Sequence, residues 1–529
     1  MDTWNAPVEV SSEEEQVLKL CKKQKLWAFL RKYRHRILDD EVRTDLVRLF
    51  APSGRGRPPV APEQLALAML LQVGFNVADH EVPTLTAVDR RWQMILDCMG
   101  ETVPVFSQGT VFNFRERARE HGLMKTLLEK TVELARQTKG FSHKRLRAIF
   151  DSSPLVGAGR VEDTFNLLGR AIAQLVCAAA EEAGRDADHV ARELEVSVVF
   201  ASSVKAALDV DWRDSRARSE ALNLLVAQFR RVEAWLHSQF EEKALQEPPL
   251  AEALETVEQI LEQDTEPDPE SPSGGDKGSR RVSKGTAKDR LVSLSDRDMR
   301  HGRKSKTKLF SGYKRHVAVD REVPGLICAV EVQAANHCEH EAAGPLFEKL
   351  EIADFDLNEL QIDRGYLAAE EVIERHDAGL EIVCKPPTPR RSERFTKADF
   401  ATDFESNIVT CPNGVVVPLK LDTTVRFPTA ACRACRLRDS CLTPKARSRS
   451  LCLHPQERWY RQMAVELSTA AGRQQRRSRV DVEHALARVG AIQGKRARFL
   501  GRDKNQFDLE RTAVVNNCYV LGRLFEQAA

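Results

Sequence analysis

The run Arg145-Leu-Arg-Ala-Ile-Phe-Asp151-Ser-Ser-Pro154 sets the architecture of this chain. Its residues alternate and then become apolar up to Phe150, a pattern that predicts a short buried strand. Asp151 follows that strand directly, and the Ser-Ser-Pro after it is a typical chain-turning sequence. In α/β proteins, ligands gather where strands end. The run therefore predicts an α/β core with a functional carboxylate at a strand end.

Further strand patterns occur downstream of this run. Residues 312–320 alternate, residues 325–333 form their expected hairpin partner, and residues 381–385 form another short strand. Glu359-Leu-Gln-Ile ends at Asp363, which precedes the turn Arg-Gly-Tyr. Glu483 lies within a predicted helix over residues 478–489. The sequence thus offers two aspartates at strand ends and one glutamate on a helix.

These three carboxylates form a candidate metal site. Asp151, Asp363 and Glu483 supply the hard oxygen ligands that Mg²⁺ prefers. Two such ions about 4 Å apart activate an attacking oxygen and stabilise a leaving oxygen in phosphoryl transfer. Taken singly, each acid is more often a surface carboxylate or a helix cap, so the interpretation depends on their joint context.

The surroundings of these acids resemble the DDE transposases of bacterial insertion sequences. Residues 148–159 are similar to that family's first-aspartate strand, and residues 312–320 with Ala335-Asn336 are similar to its second and third strands. Ile362-Asp-Arg-Gly-Tyr366 resembles its second-aspartate turn, and Ala513-Val-Val-Asn-Asn517 its closing helix. The resemblance covers most of residues 145–525, and it implies a ribonuclease-H-like catalytic core.

The glutamate helix matches the family in part. Arg479 and Glu483 occupy the places of the family's Arg and Glu, whereas Arg476 and Gly490 stand where the family has Tyr and Lys. The resemblance makes basic residues around this helix expected DNA contacts, and Glu510 remains a competitor for the role of Glu483. The expected DNA-binding residues are Arg476, Arg479, Lys495, Arg496 and Arg498.

The resemblance implies a metal-dependent activity on DNA. Asp151, Asp363 and Glu483 would hold Mg²⁺ or Mn²⁺, with two ions expected, and would catalyse hydrolysis at the element's ends and transfer of the exposed 3′ hydroxyl to target DNA. The partner would be double-stranded DNA, bound by a homodimer. Two alternatives stay open: a DNA-binding protein that has lost the chemistry, and a metal-dependent nuclease that cuts without rejoining.

The distribution of charge agrees with a polyanionic partner. The net charge of +2 is uninformative, but residues 433–504 hold 18 Lys and Arg against 6 Asp and Glu. Such a basic block beside a catalytic candidate indicates nucleic acid binding. Taken alone, the same block would more often be a solvated Arg-rich surface.

A cysteine cluster follows the second aspartate. Cys432-Arg-Ala-Cys435 lies between Cys411 and Cys441, which is the spacing of a four-thiolate structural Zn²⁺ site. Unligated cytosolic thiols are the alternative, and Cys452 and His454 are spare candidates for the fourth ligand. A similar Cys-rich insertion occurs in one branch of the family that the chain resembles.

The length of 529 residues predicts several domains. We expect a helical N-terminal DNA-binding or assembly domain over residues 1–140, and a ribonuclease-H-like core built from residues 141–154, 291–387 and 456–529. A helical insertion over 155–261, a disordered linker over 262–290 and a zinc insertion over 388–455 interrupt this core. The sequence shows no secretion signal and no run of apolar residues that could span a membrane, so we expect a cytoplasmic protein.

Overall fold

The N-terminal part of the chain is helical. The computed structural model describes residues 4–50, 60–140, 145–268, 279–387, 393–477 and 479–528. Its first eight helices are α1 (Ser12–Leu20), α2 (Lys25–Ile37), α3 (Asp40–Arg48), α4 (Pro62–Phe75), α5 (Glu81–Val88), α6 (Arg90–Leu96), α7 (Gln108–Glu120) and α8 (Leu123–Thr138).

These helices share one continuous apolar core with the sheet that follows them. Helix α4 begins at Pro62, a residue suited to the first turn of a helix. Its apolar residues lie on nearly every side because nearly all of its side chains are buried. Arg115 on α7 is buried and forms an ion pair with Asp79 at 2.7 Å. Arg136 on α8 forms a fully buried ion pair with Asp320. Arg115 thus serves packing, whereas a role of residues 1–140 in DNA binding or assembly stays a prediction.

The first long strand leads into a helical insertion. Strand β1 (Arg145–Val156) is followed by α9 (Thr164–Glu182), α10 (Ala187–Glu193), a 3-10 turn (Ser197–Phe200), α11 (Val204–Ala207), α12 (Ser215–Gln239), α13 (Glu242–Leu245), α14 (Leu250–Asp264), β2 (Thr265–Pro267) and β3 (Arg280–Val282). The apolar residues of these helices form a core of their own, separate from the core beneath the sheet.

The segment predicted as a disordered linker is ordered at both of its described ends. Thr265–Pro267 pairs with Arg280–Val282 as two antiparallel strands, and Arg290 forms a buried ion pair with Asp264. The composition of residues 262–290 does not predict this order, because the order depends on pairing between residues that are far apart in the sequence. Residues 269–278 lie outside the described residues.

The six-stranded sheet is completed by the middle of the chain. Its elements are β4 (Arg300–Arg303), β5 (Leu309–Asp320), β6 (Ile327–Ala334), a 3-10 turn (Glu339–Ala342), α15 (Ala343–Ile352), β7 (Asp356–Ile362), α16 (Glu370–Asp377) and β8 (Glu381–Cys384). The sheet order is β4-β5-β1-β7-β8, and β6 pairs with β5. Strands β1, β7 and β8 run parallel, whereas β5 is antiparallel to β1, β4 and β6.

Strand β1 extends beyond the end that its sequence predicts. It continues five residues past Asp151 because β5 pairs with it as far as Val156. The N–H of Val156 points away from β5 and donates to Lys495 O. Because backbone groups alternate in direction along a strand, the nitrogen of Pro154, two residues earlier, also points away from β5. Pro154 therefore costs the sheet no hydrogen bond.

The last part of the chain holds a small sheet-rich insertion and four closing helices. The insertion contains a 3-10 turn (Lys397–Asp399), β9 (Ala401–Asp403), β10 (Ile408–Thr410), β11 (Val416–Pro418), β12 (Thr424–Arg426), α17 (Thr429–Arg433), α18 (Arg438–Cys441) and β13 (Ser450–Cys452). The closing helices are α19 (Glu457–Ser468), α20 (Ala470–Arg477), α21 (Val480–Ile492) and α22 (Arg502–Ala528). Within the described ranges, no helix combines the length and apolar character needed to cross a bilayer.

Candidate active site

Strand register brings Asp151 and Asp363 to equivalent positions. Ile149 on β1 lies opposite Gln361 on β7, and this is the last paired position of the two parallel strands. Each aspartate lies two residues beyond that pair, where the strands separate. Neighbouring strands lie about 5 Å apart, so the two carboxylates project into one crevice at the carboxyl ends of the strands.

Arg479 bridges the two aspartates. Its guanidinium lies 3.1 Å from Oδ2 of Asp151 and donates to Oδ1 of Asp363 as well. Burial raises the pKa of Asp151, and the Arg479 charge opposes that rise. Burial lowers the pKa of Arg479, but the two aspartates outweigh it and raise the value above its ordinary level. The crevice therefore holds one cation between two carboxylates. Carboxylate oxygens are also the ligands that bind divalent cations such as Mg²⁺ in proteins.

Glu483 lies one helical turn from Arg479. Its backbone N–H donates to Arg479 O at 3.4 Å, and residues four apart share a helix face. It belongs to the first turn of α21, and its side chain is exposed. Among the residues that the structure describes, no three His, Cys, Asp or Glu side chains form a group that could hold a metal ion. Joint ligation by Asp151, Asp363 and Glu483 thus remains a prediction.

The competing glutamate lies elsewhere. Glu510 on α22 accepts a hydrogen bond from Gln506 at 2.8 Å. Burial raises the pKa of Glu510, and the charged groups that influence it are Lys349, Glu331 and Lys125 rather than either aspartate. Its surroundings favour Glu483 over Glu510 as the third carboxylate.

Glu339 is a carboxylate at this crevice that the sequence analysis missed. It accepts a hydrogen bond at 2.5 Å from Ser152 Oγ, next to Asp151. Its other oxygen fills the space beside Gly365, where an added Cβ would overlap it. Glu339 thus links the segments after both aspartates. The only signal in the sequence was Gly365 itself, since a glycine after a strand end indicates a close approach.

A buried His–Tyr pair lies beneath the crevice. His316 Nδ1 and Tyr366 Oη share a hydrogen bond of 2.7 Å, and His316 is fully buried. Burial lowers the pKa of His316 to about 3. Burial also raises the pKa of Tyr366, and the carboxylates of Glu339, Asp151 and Asp363 raise it further. His316 is thus a buried residue whose ring contacts Tyr366 beneath the two aspartates.

The predicted DNA-binding residues fall into two groups. Arg479 and Arg498 are engaged within the protein, since Arg498 donates to Ile492 O at 2.8 Å. Arg476, Lys495 and Arg496 are exposed, and Arg496 also donates to Ala158 O at 3.3 Å. The backbone at Lys495–Ala497 pairs with Val156, which lies five residues beyond Asp151. This pairing places two exposed cations beside the end of β1.

The four predicted zinc ligands line one cavity. Cys411, Cys432, Cys435 and Cys441 surround a space of about 30 Å³, together with apolar side chains such as Phe400. The sulfur of Cys411 accepts a hydrogen bond of 3.3 Å from the N–H of Val415. Burial raises the pKa of Cys441, Arg449 lowers it, and the other three cysteines raise it. The spare candidates lie outside this lining, since Cys452 is exposed and the His454 ring packs at a tilt against Tyr460.

Comparison with known families gives matches at both ends of the chain. Residues 410–522 match a family described as "Transposase DDE domain". Residues 18–117 match a family described as "Transposase domain (DUF772)". No curated protein and no solved structure gives a match. The DDE match implies a ribonuclease-H-like core, in agreement with the mixed sheet around Asp151. The two matches support a DDE-type transposase of insertion sequences.

Proposed function

We propose that the protein binds the ends of a mobile DNA element and catalyses metal-dependent strand cleavage and strand transfer. The observation that carries this proposal is the position of the Arg479 guanidinium between Asp151 and Asp363. A cation already occupies the point where the carboxylates of Asp151 and Asp363 converge. The donor set consists of hard oxygens, which suits Mg²⁺ or Mn²⁺.

Different residues of the chain would have different roles in this reaction. Asp151 and Asp363 would hold the ions, and Glu483 would complete the site from α21. When bound, two divalent ions activate the attacking oxygen and stabilise the leaving oxygen of an in-line displacement. The hydrogen bond from Ser152 to Glu339 would hold the part of β1 that follows Asp151 in place. Arg476, Lys495 and Arg496, which are exposed, would bind the phosphate backbone and orient the strand.

An Asp151→Asn variant tests the proposal. We expect it to bind DNA that carries the element's terminal inverted repeats, yet neither to cleave nor to join that DNA in Mg²⁺ or Mn²⁺. Asp377→Asn is the matched control, since Asp377 is exposed on α16, away from the crevice. Full cleavage by Asp151→Asn, or equal loss in both variants, would contradict the assignment.

A second candidate is a DNA-binding protein that keeps the fold without catalysis. The same ion pairs favour it, because Arg479 already neutralises both aspartates. Wild-type protein that binds its own terminal repeats but shows no metal-dependent cleavage would support this candidate. Cleavage without joining of the 3′ hydroxyl would indicate a nuclease instead.

We propose that the Cys-rich insertion holds one structural Zn²⁺. The four thiols do not form a metal-holding group as they are placed in the described residues, but all four line one cavity and would supply the donors of a closed tetrahedral site. An N–H that donates to Cys411 Sγ would stabilise a thiolate there. The apolar core of the insertion is small, with Phe400, Val409 and Leu453 among its members. Metal ligation would supply the stability that so small a core lacks.

We also expect a homodimer on paired DNA ends, because transposition joins two ends of one element. Sedimentation of the protein with and without end DNA tests this expectation. A complex that contains one chain per pair of ends would contradict it.

A further inference from the structure

A cationic hairpin extends from the six-stranded sheet. Strands β4 and β5 form this hairpin: Arg300 lies opposite Gly312, and Arg303 lies opposite Leu309. Residues 304–308 form the turn between the two strands. The N–H of Lys304 donates to Lys308 O at 2.9 Å, and the N–H of Lys308 donates to Ser305 Oγ at 3.2 Å. The turn is therefore an ordered element, and we call residues 303–308 the basic arm.

The arm projects beyond its neighbouring strands. Strand β1 pairs with β5 only from Gly312 onwards, and β6 pairs with β5 only from Tyr313 onwards. Residues 309–311 of β5 therefore have β4 as their only strand partner within the described ranges. Gly302 anchors the base, since an added Cβ would overlap the backbone of Ala335. This geometry leaves the tip of the arm free to meet another molecule.

The side chains of the arm are positively charged and unpaired. Arg303, Lys304, Lys306 and Lys308 are exposed, and none of them forms an ion pair or a side-chain hydrogen bond within the described part of the chain. At the base, by contrast, Arg300 pairs with Asp289 at 2.8 Å. Four cations in six residues repel one another, and a polyanion relieves that repulsion while releasing its own counterions.

The arm lies in line with the candidate active site. Val317 on β5 is opposite Asp151, and nine residues separate it from Lys308, so the tip lies about 30 Å from Asp151 along the strand. Strand β5 is antiparallel to β1, so its start lies beyond the end of β1 at which the crevice opens. Lys495 and Arg496, exposed beside Val156, lie along the same path. Thirty ångströms correspond to about nine base pairs of B-DNA.

We propose that the basic arm binds the phosphate backbone of duplex DNA about nine base pairs from the scissile phosphodiester. This inference rests on the proposed function and adds a binding surface to it. Phosphate contacts of this kind set register and orientation without reading the base sequence. A solvated edge that only prevents strand-to-strand aggregation is the competing explanation, because lysines commonly protect edge strands.

The test compares two triple variants with equal change in net charge. The arm variant is Lys304→Gln, Lys306→Gln and Lys308→Gln; the control is Arg192→Gln, Arg213→Gln and Lys243→Gln, all exposed in the helical insertion. Binding to a fluorescent duplex of random sequence, about 40 base pairs long, is measured against salt. The slope of log K against log [salt] is negative. We expect its magnitude to decrease by roughly 2.7 in the arm variant, about 0.9 for each lost phosphate contact, with no such decrease in the control.

Hydroxyl-radical footprinting on DNA that carries the element's terminal repeats locates the phosphates that the basic arm contacts. We expect protection about nine base pairs from the cut to disappear in the arm variant alone. If wild-type protein binds duplex DNA and the arm variant keeps both slope and footprint, the arm proposal fails and the proposed function stands. Aggregation of that variant with unchanged DNA binding would assign the lysines to edge protection. If wild-type protein binds no duplex at all, both proposals fail.

Discussion

Arg479 contacts the carboxylates of both Asp151 and Asp363, although the three residues belong to different elements of the fold. A guanidinium at this point neutralises two acids that would otherwise repel each other. It also competes with any divalent cation for the same oxygens. Metal binding and the Arg479 contacts should therefore exclude one another.

Arg479→Gln should bind Mn²⁺ more tightly than wild type in the absence of DNA. Removal of one competing charge within about 4 Å should strengthen binding roughly tenfold, or about 1.4 kcal/mol. Calorimetric titration with Mn²⁺ measures the change. Arg477→Gln is the control, because Arg477 is exposed and contacts Gln474 rather than an aspartate. Equal affinities in wild type and Arg479→Gln would show that the guanidinium does not occupy the metal position.

Gly365→Ala should displace Glu339. The new Cβ overlaps the Glu339 carboxylate, which must move and break its hydrogen bond with Ser152. We expect a loss of about 1–3 kcal/mol in the free energy of unfolding, measured by denaturant titration. Glu339→Ala removes the carboxylate, whose oxygen overlaps the added Cβ, and leaves only the Cβ of residue 339 at 3.0 Å. Adding Gly365→Ala to this variant should therefore cost less than Gly365→Ala costs alone.

Gly490→Ala serves as the control for that double-mutant cycle. Gly490 lies inside α21 with only the tip of Arg315 near an added Cβ, at 4.0 Å. Alanine there should stabilise the helix by up to about 1 kcal/mol. Additive effects of the changes at 365 and 339 would contradict the contact between them.

His316 should make stability fall as the solution becomes acidic. Its folded pKa is about 3 against an ordinary value of 6.5. Between these values the unfolded chain binds a proton that the native protein excludes, so the contribution is complete above pH 6.5 and declines as pH falls towards 3. The slope from this one group is at most about 1.4 kcal/mol per pH unit.

A His316→Asn variant isolates that contribution, since asparagine can still bond to the Tyr366 hydroxyl but does not titrate. Denaturant titrations between about pH 5 and pH 7 should show a shallower pH dependence in the variant than in wild type. Identical slopes in the two proteins would mean that His316 is accessible to protons in the native state.

Purified protein should contain about one zinc per chain, and Cys435→Ser should lose it. Elemental analysis measures the metal, and limited proteolysis reports the fold of residues 393–455. A strong chelator should make that segment sensitive to protease, because ligation supplies its stability. Cys452→Ser is the control, since Cys452 is exposed and lies outside the cavity. Zinc content that survives Cys435→Ser would rule out the proposed ligand set.

The sequence by itself determined the parts that depend on neighbouring residues. Alternation predicts β5, β6, β7 and β8, and the place of Asp363 after β7 follows from the same local pattern. The spacing of Cys432 and Cys435 with two flanking cysteines predicts their common cavity. Each of these features arises from contacts within a few positions or within one hairpin.

Only the tertiary structure decided which distant residues meet. The continuation of β1 past Asp151 depends on β5, and the arrival of Glu339 beside Gly365 depends on how the segment after β6 packs. The bridge from Arg479 to both aspartates and the pairing of Thr265–Pro267 with Arg280–Val282 are equally non-local. Such contacts form because the whole core closes around them, and no local pattern of residues encodes that closure.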